Sequence, residues 1–313
     1  MPNPPTFLVN PAAGGGRAAG WWRRHEKEIV QAFPAAKVLQ TTSLQGATKL
    51  TQEVVAAGSE FVVAVGGDGT ANEVLNGLWD ASAGQFALVK MGILPAGTGS
   101  DFARGLGTLD FTTALKQLQS SQSSPLYVGH AQHADASRFF LNACTFGFGA
   151  RVVHQMGPGG GKRWLGRLSY QLWALYSAIE WMSPHIQLDV DGCPSAPQKT
   201  FLGAVCNGPF FGGGLPAAPG QCPISEGLQL LLGGDLGRIE ALLLMASAGK
   251  RGSFRHPKIR TERIERGLVV HKGPESSSPI PMELDGEAWG FLVGPLRIHG
   301  QRGPHLAGNY SSP

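Results

Sequence analysis

Apolar residues along the first 120 positions come in short runs, and several of those runs stop at glycine. Phe61-Val62-Val63-Ala64-Val65 is a run of small, β-branched and aromatic side chains that ends at Gly66-Gly67-Asp68-Gly69-Thr70. Behind that loop, Val74, Leu75, Leu78 and Trp79 recur with the period of a helix, while Asn72, Glu73 and Asn76 fall elsewhere around it. The pattern predicts a strand, a tight loop and the start of a helix. Glycine lets a ligand approach the backbone closely, and the N–H groups that open a helix attract an anion. Such a loop suits a phosphate, with Asp68 where phosphate and a divalent cation would meet. A plain turn after a buried strand is the alternative.

The same arrangement recurs on either side. Residues 6–10 predict a short buried strand that runs into Asn10-Pro11-Ala12-Ala13-Gly14-Gly15-Gly16-Arg17, and a helix with a charged face follows over 21–33. That glycine turn reads equally as a flexible loop or as a phosphate contact. Residues 88–94 predict a strand emptying into Pro95-Ala96-Gly97-Thr98-Gly99-Ser100-Asp101, followed by a short helix. Between them lie a weaker strand at 36–40, hydroxyl residues from Thr41 onward, and a helix reaching residue 57. Those hydroxyls either touch a nucleotide or cap the helix. A helix at 111–118 closes this half, and the Ser- and Gln-rich stretch 119–125 reads as a linker. Three strand–loop–helix units with glycine loops predict an α/β domain. Its sheet is mostly parallel, with the ligand at the carboxyl ends of the strands.

Beyond residue 125 the pattern changes. Short apolar runs at 138–146, 186–191, 200–206, 228–232, 258–264, 268–271, 282–284 and 291–293 are separated by turn residues. They predict an antiparallel β-sandwich or a barrel-like domain. Helices are expected at 165–182 and 238–248; Arg167, Gln171 and Glu180 exclude the first as a membrane span. The expected division is therefore an α/β domain over 1–125, a β-sandwich domain over 126–300 and a mobile Gly-, Pro- and Ser-rich tail over 301–313.

Composition narrows the function. At 313 residues two domains are the natural expectation, and 42% hydrophobic residues support packed interiors. Only 15% of residues are charged, which argues against a nucleic-acid-coating or disordered chain. A net charge of +4 permits contact with an anionic membrane surface or a phosphate-bearing substrate. Cys144, Cys193, Cys206 and Cys222 form no Cys-x-x-Cys pair, and the histidines show no zinc-type spacing, which points to free thiols in a reducing cytosol. The first residues lack the basic and apolar regions of a signal peptide.

Gly66-Gly67-Asp68-Gly69-Thr70-Ala71-Asn72-Glu73 resembles the signature of the diacylglycerol kinase catalytic superfamily, which includes sphingosine kinases and soluble bacterial lipid kinases. Pro95-Ala96-Gly97-Thr98-Gly99-Ser100-Asp101-Phe102-Ala103 resembles its second signature. Asn142-Ala143-Cys144-Thr145-Phe146-Gly147-Phe148-Gly149, Asn207-Gly208-Pro209-Phe210-Phe211-Gly212-Gly213-Gly214 and Leu284-Asp285-Gly286-Glu287 are similar to later motifs, in the right order. The resemblance runs from Phe7 to about Gly300. It implies a nucleotide-binding α/β domain of the kind shared with NAD kinases, followed by a β-sandwich domain for a lipid substrate.

The resemblance further implies ATP-dependent transfer of the γ-phosphoryl group to a lipid hydroxyl, on a diacylglycerol, phosphatidylglycerol or sphingoid base. The enzyme would be cytoplasmic, in peripheral contact with the inner membrane face; a homodimer is allowed and no nucleic acid is involved. Asn10, Pro11, Ala12, Ala13, Gly14, Thr41, Gly66, Gly67, Asp68, Gly69, Thr70, Ala71, Asn72 and Thr98 would surround ATP. Asp68 would orient Mg²⁺ or its waters, and Glu287 matches the family's proposed general base. Pro223, Glu226 and Leu228 match a loop that holds a structural Mg²⁺ in similar bacterial kinases. Phe146, Phe148, Phe210, Phe211 and Leu215 would line an acyl-chain cleft or simply fill the core. The loop with Lys162, Arg163 and Trp164 suits a membrane interface or is an ordinary solvated loop.

Three positions depart from the family pattern. Ser100 stands where asparagine is usual, and Glu226 where aspartate is usual. Tyr127 stands where the family carries an acid thought to sit near the base, and a phenol does not supply a carboxylate near neutral pH. Asp101 is the candidate replacement. Two other functions stay open: phosphorylation of a soluble acceptor such as NAD, and a non-catalytic nucleotide- or lipid-binding homologue.

Overall fold

The computed structural model describes residues 4–43, 46–80, 82–97, 99–157, 177, 181–237, 239–241, 243–244, 256–276 and 278–310. The chain divides into two units, Met1–Leu126 together with Arg302–Pro313, and Tyr127–Gln301.

The first unit contains β1 (Thr6–Val9), α1 (Arg17–Ala32), β2 (Lys37–Gln40), α2 (Gly46–Ala56), β3 (Phe61–Gly66), α3 (Asp68–Gly77), a small ladder of β4 (Trp79–Asp80) and β5 (Gln85–Phe86), β6 (Lys90–Pro95), α4 (Asp101–Gly105) and α5 (Phe111–Gln119). Strands β2, β1, β3 and β6 lie side by side, all parallel. Every residue of β1 and β3 is buried, which is why both read as unbroken apolar runs rather than alternating ones. One core of this unit joins Phe7, Trp22, Ile29, Val63, Val65 and Leu115.

Two expectations are corrected here. Asn72 and Glu73 are buried although helical periodicity set them apart from the apolar face. The Glu73 carboxylate accepts the Ala47 N–H at 2.9 Å and its carbonyl accepts the Thr48 hydroxyl at 3.0 Å, so α3 and α2 are joined by polar contacts as well as apolar ones. The stretch expected as a mobile tail continues a strand to Ala307. Its His305 and Leu306 pair in parallel with Lys90 and Met91, and Leu306 is fully buried. Gly308 and Tyr310 are tied to the Ser124 hydroxyl.

From residue 123 onward the strands are β7 (Ser123–His133), β8 (Ala136–Phe140), β9 (Ala143–Gly147), β10 (His185–Val190), β11 (Cys193–Pro194), β12 (Gln198–Lys199), β13 (Leu202–Cys206), β14 (Phe210–Phe211), β15 (Leu215–Pro216), β16 (Leu228–Gly233), β17 (Ile259–Ile264), β18 (Leu268–Lys272), β19 (Pro281–Leu284), β20 (Glu287–Phe291) and β21 (Leu296–Ala307); the start of β7 and the end of β21 belong to the first unit, the rest to the second. One helix, α6 (Phe148–Met156), follows β9. A six-stranded antiparallel sheet has the order β17-β16-β13-β9-β19-β20. Strands β10, β18 and the start of β21 form a second antiparallel set. Side chains from both sets, among them Phe146, Leu188, Val205, Val270 and Met282, share one core, as a sandwich requires.

The expected linker is short: α5 runs to Gln119 and β7 starts at Ser123. The run at 138–146 is two strands, because Leu141 and Asn142 give their N–H groups to Asp285 instead of to a ladder. Strand β20, mostly exposed, and helix α6, an amphipathic helix behind a stretch that reads as a strand and turn, are not among the elements expected from the sequence. The expected helices at 165–182 and 238–248, and the loop with Lys162, Arg163 and Trp164, fall largely outside the described residues. Among the described residues, no helix is long and apolar enough to cross a membrane.

Candidate active site

The parallel register of the first unit brings the glycine loops together. Val9 is aligned with Gln40 and with Val65, and Gly66 is aligned with Pro95. Asn10, Thr41, Gly67 and Ala96 therefore all leave the sheet at one edge. Side-chain and backbone contacts then bind the loops to one another. The Asn10 N–H meets the Val65 carbonyl at 3.0 Å, and the Asn10 side-chain amide donates to the Thr70 hydroxyl at 3.0 Å. Asn10 also shapes its own turn, accepting the Ala12 N–H on its side-chain oxygen at 3.1 Å. Pro11, Ala12, Ala13 and Gly14 form that turn, and Gly14, Gly15 and Gly16 all have positive φ. Thr41 is buried, and its N–H is held by the Val9 carbonyl at 2.8 Å. Thr98 lies outside the described residues.

The first and second signatures meet through Asp68. Its Oδ2 accepts the Asp101 N–H and its Oδ1 accepts the Phe102 N–H, both at 2.9 Å. Gly66, Gly67, Asp68, Ser100 and Phe102 line a shared crevice. The approach is close: a Cβ on Gly97 would come within 2.5 Å of the Gly67 Cα. Gly69, Thr70, Ala71 and Asn72 continue into α3, where Thr70, Ala71 and Asn72 are buried. Asp101 opens α4 with its carboxylate buried and 3.7 Å from the Arg104 Nε. Ser100 has φ 48, a left-handed backbone that asparagine tolerates better than serine.

In the second unit, Glu287 follows a two-residue turn at Asp285 (φ 48) and Gly286 (φ 85). Both positive values fit a tight hairpin turn. The Asp285 carboxylate accepts the N–H groups of Leu141 at 2.7 Å, Asn142 at 2.8 Å and Ala143 at 3.0 Å. Glu287 is partly exposed, and its Oε2 accepts from the Arg138 guanidinium at 2.7 Å.

Comparison with known proteins agrees with this construction. Residues 4–131 match the diacylglycerol kinase catalytic domain, and residues 142–301 match the YegS C-terminal NAD kinase beta sandwich-like domain. The chain belongs to the diacylglycerol kinase catalytic family. A Pseudomonas aeruginosa protein named probable lipid kinase YegS-like is 30% identical over 276 residues, which is 81% of this chain and 80% of that one. A Bacillus subtilis diacylglycerol kinase is 26% identical over 92% of this chain and 91% of its own. The crystal structure of a Bacillus anthracis diacylglycerol kinase superposes with a TM-score of 0.70 at 21% identity, covering 98% of this chain and 97% of that one. An NAD kinase from Archaeoglobus fulgidus, crystallised with ATP, shares the fold at TM-score 0.53 and 12% identity, covering 97% and 94%. The chain is thus a phosphotransferase of the lipid-kinase class.

In this kinase the tyrosine that replaces the usual acid has its own surroundings. The Tyr127 N–H donates to the Pro223 carbonyl at 2.6 Å, and its carbonyl accepts from the Asn207 amide at 2.8 Å. Gly300 makes room for the ring, since a Cβ there would lie 2.6 Å from the phenol oxygen. Burial pushes the Tyr127 phenol up from its ordinary value. The loop bearing Glu226 is closed by protein donors. Arg263 donates to the Glu226 carbonyl at 3.1 Å and Gln221 to the Gly227 carbonyl at 2.7 Å, while Pro223 serves Tyr127. Leu228 begins β16. Among the described residues no group of three or more His, Cys, Asp or Glu is placed to hold a metal ion. Of the expected ligands, the Pro223 carbonyl is thus engaged by the Tyr127 N–H.

Of the apolar candidates, Phe146, Phe148 and Leu215 are buried; Phe146 belongs to the sandwich core and Phe148 packs on Phe201. Phe210 and Phe211 are half-buried. Sequence reasoning missed Arg138 and Glu283, because neither sits in a recognisable motif and each is defined by a partner far along the chain.

Proposed function

We propose that the chain transfers the γ-phosphoryl group of ATP to a hydroxyl of a lipid: a diacylglycerol, a phosphatidylglycerol or a sphingoid base. The observation that carries this reading is the convergence of the Asn10, Gly66–Gly67 and Gly97 loops at one sheet edge, cross-tied by Asn10 and Asp68. Backbone N–H groups in closely approaching loops suit a polyphosphate, which needs donors and little covalent help.

Asn10 to Gly14, Thr41, residues 66–72 and Thr98 bind the nucleotide. Asp68 holds α4 with both carboxylate oxygens and orients the waters around a Mg²⁺ ion. Mg²⁺, when bound with ATP, neutralises phosphate charge. Glu287 takes the proton of the lipid hydroxyl as that oxygen bonds to the γ-phosphorus and the bond to ADP breaks. Asp101 holds Arg104 beside the loop.

A second reading is favoured by the likeness to an ATP-bound NAD kinase fold: transfer to a soluble acceptor such as NAD. Labelled ATP offered with vesicles of phosphatidylglycerol carrying diacylglycerol, sphingosine and ceramide, and separately with NAD, decides between them. Label is expected in the lipid phase. Label in NAD alone, or ATP binding with no transfer, overturns the proposal.

A further inference from the structure

One acid of the β19–β20 hairpin has no part in the chemistry above. Glu283 is 5% exposed, two residues before Asp285. Its Oε1 accepts the Thr145 hydroxyl at 2.7 Å, and its Oε2 accepts the Gly286 N–H at 2.6 Å. Gly286 is the residue between Asp285 and Glu287. The turn is therefore gripped twice: Asp285 by the N–H groups of residues 141–143, and Gly286 by Glu283. Glu287 is the first residue beyond this grip.

Both contacts to Glu283 are donors, so they need an acceptor at each oxygen. A carboxylate supplies that. A carboxylic acid reverses one of them: its O–H donates to the Thr145 hydroxyl, which no longer donates to Glu283. Burial pushes the Glu283 carboxyl up to about 7; Thr145 and the Gly286 N–H oppose the rise, and the negative charges of Asp285 and Glu287 add to it. The other groups facing it are Cys144 on β9 and Cys206 on β13, both buried thiols whose own ionisation Glu283 disfavours. On α6, His154 meets the carbonyl of the neighbouring Met282.

We propose that Glu283 is a positioning residue for phosphoryl transfer: its carboxylate holds Gly286 and Thr145 and so sets the direction in which Glu287 leaves the turn. This role depends on Glu287 acting as the base. It has a consequence that plain core packing lacks. The Glu283 carboxyl titrates higher in the fold than in an unfolded chain, so its contribution to stability is complete below the ordinary carboxylate range and is lost as pH rises through about 7. Positioning needs the ionised form, so turnover rises through the same window. Stability and turnover run in opposite directions.

The test compares wild type, Glu283→Gln and Glu287→Gln between pH 5.5 and 8.5, with the mixed-lipid vesicles and labelled ATP described above. Melting temperatures are read in the same buffers. Wild-type kcat is expected to climb through pH 7 while Tm falls or stays level. Glu283→Gln is expected to lower kcat at pH 8 by about tenfold or more, leave the KM for ATP within about twofold, flatten the kcat step and keep Tm at pH 8 at or above wild type. Wild-type turnover and pH profile in Glu283→Gln overturn the proposal. If that variant does not fold, the wild type decides: a kcat that is flat from pH 6 to 8, or that falls with Tm, overturns it. Turnover retained in Glu287→Gln removes the base itself. An inactive Glu287→Gln beside a fully active Glu283→Gln removes only the role of Glu283.

Discussion

Asp68 and Phe102, 34 residues apart in the chain, are joined by a 2.9 Å hydrogen bond from the Phe102 N–H to the Asp68 Oδ1. With Oδ2 on the Asp101 N–H, the acid of one glycine loop caps the helix that follows another. A carboxylate at a helix start satisfies donors that have no partner inside the helix and complements the helix dipole. Replacing Asp68 by Ala is expected to cost about 1–2 kcal/mol of stability and to abolish lipid phosphorylation while the fold survives. Urea unfolding and the labelled-ATP assay check both; full turnover in the variant would contradict the assigned role.

Gly97 leaves no room for a side chain beside Gly67. A Cβ would sit 2.5 Å from a backbone carbon, where no rotamer offers relief. Gly97→Ala is expected to force the two loops apart and to weaken ATP binding by about tenfold or more, with little change in overall fold. Calorimetric titration with ATP measures this, and unchanged affinity would show that the loops do not grip the nucleotide.

Ser100 lies in left-handed backbone at φ 48. Asparagine, the usual family residue at this position, tolerates that conformation at lower cost. Ser100→Asn is therefore expected to raise stability by about 0.5–1 kcal/mol, read as a higher urea midpoint at unchanged slope. A lower midpoint would mean that the serine makes a contact the asparagine cannot replace.

Glu287→Gln keeps the size of the side chain and an oxygen for Arg138, but removes the basic carboxylate. The expected result is ATP affinity within about twofold of wild type and turnover reduced by about a hundredfold or more. Equal turnover would eliminate Glu287 as the proton acceptor.

His130 is 7% exposed and stacked on Phe139. Burial, with a smaller push from His299, takes its imidazole down to about 4. A histidine held below its unfolded value gives stability that is complete above about pH 6.5 and is lost as pH falls toward 4. His130→Gln is expected to flatten the fall of Tm between pH 6.5 and 4.5; an unaltered slope would assign the acid sensitivity to other groups.

The two-part architecture was legible because its signals are local. Unbroken apolar runs mark strands such as 61–66, with both faces covered, and glycines after strands mark either a left-handed turn, as at Gly14–Gly16, or a close approach, as of Gly97 to Gly67. The family motifs lie in those same turns, so Gly66, Asp68, Gly97 and Glu287 stood out before any contact was known. The identity of the loops and the change from helical to strand periodicity near residue 125 are properties of neighbouring residues.

What the folded molecule alone decided are contacts between distant segments. Asn10 reaches Thr70, Asp68 reaches α4, Asp285 reaches residues 141–143, and Glu283 takes both Thr145 and Gly286. Periodicity placed Glu73 away from the core because it scores polarity without seeing the Ala47 N–H that meets it. Composition made a tail of residues 301–313 because glycine and proline mask a strand whose ladder partner lies more than 200 residues earlier. A polar side chain's place is set by the donor or acceptor that satisfies it, and only the three-dimensional path of the chain brings that partner near.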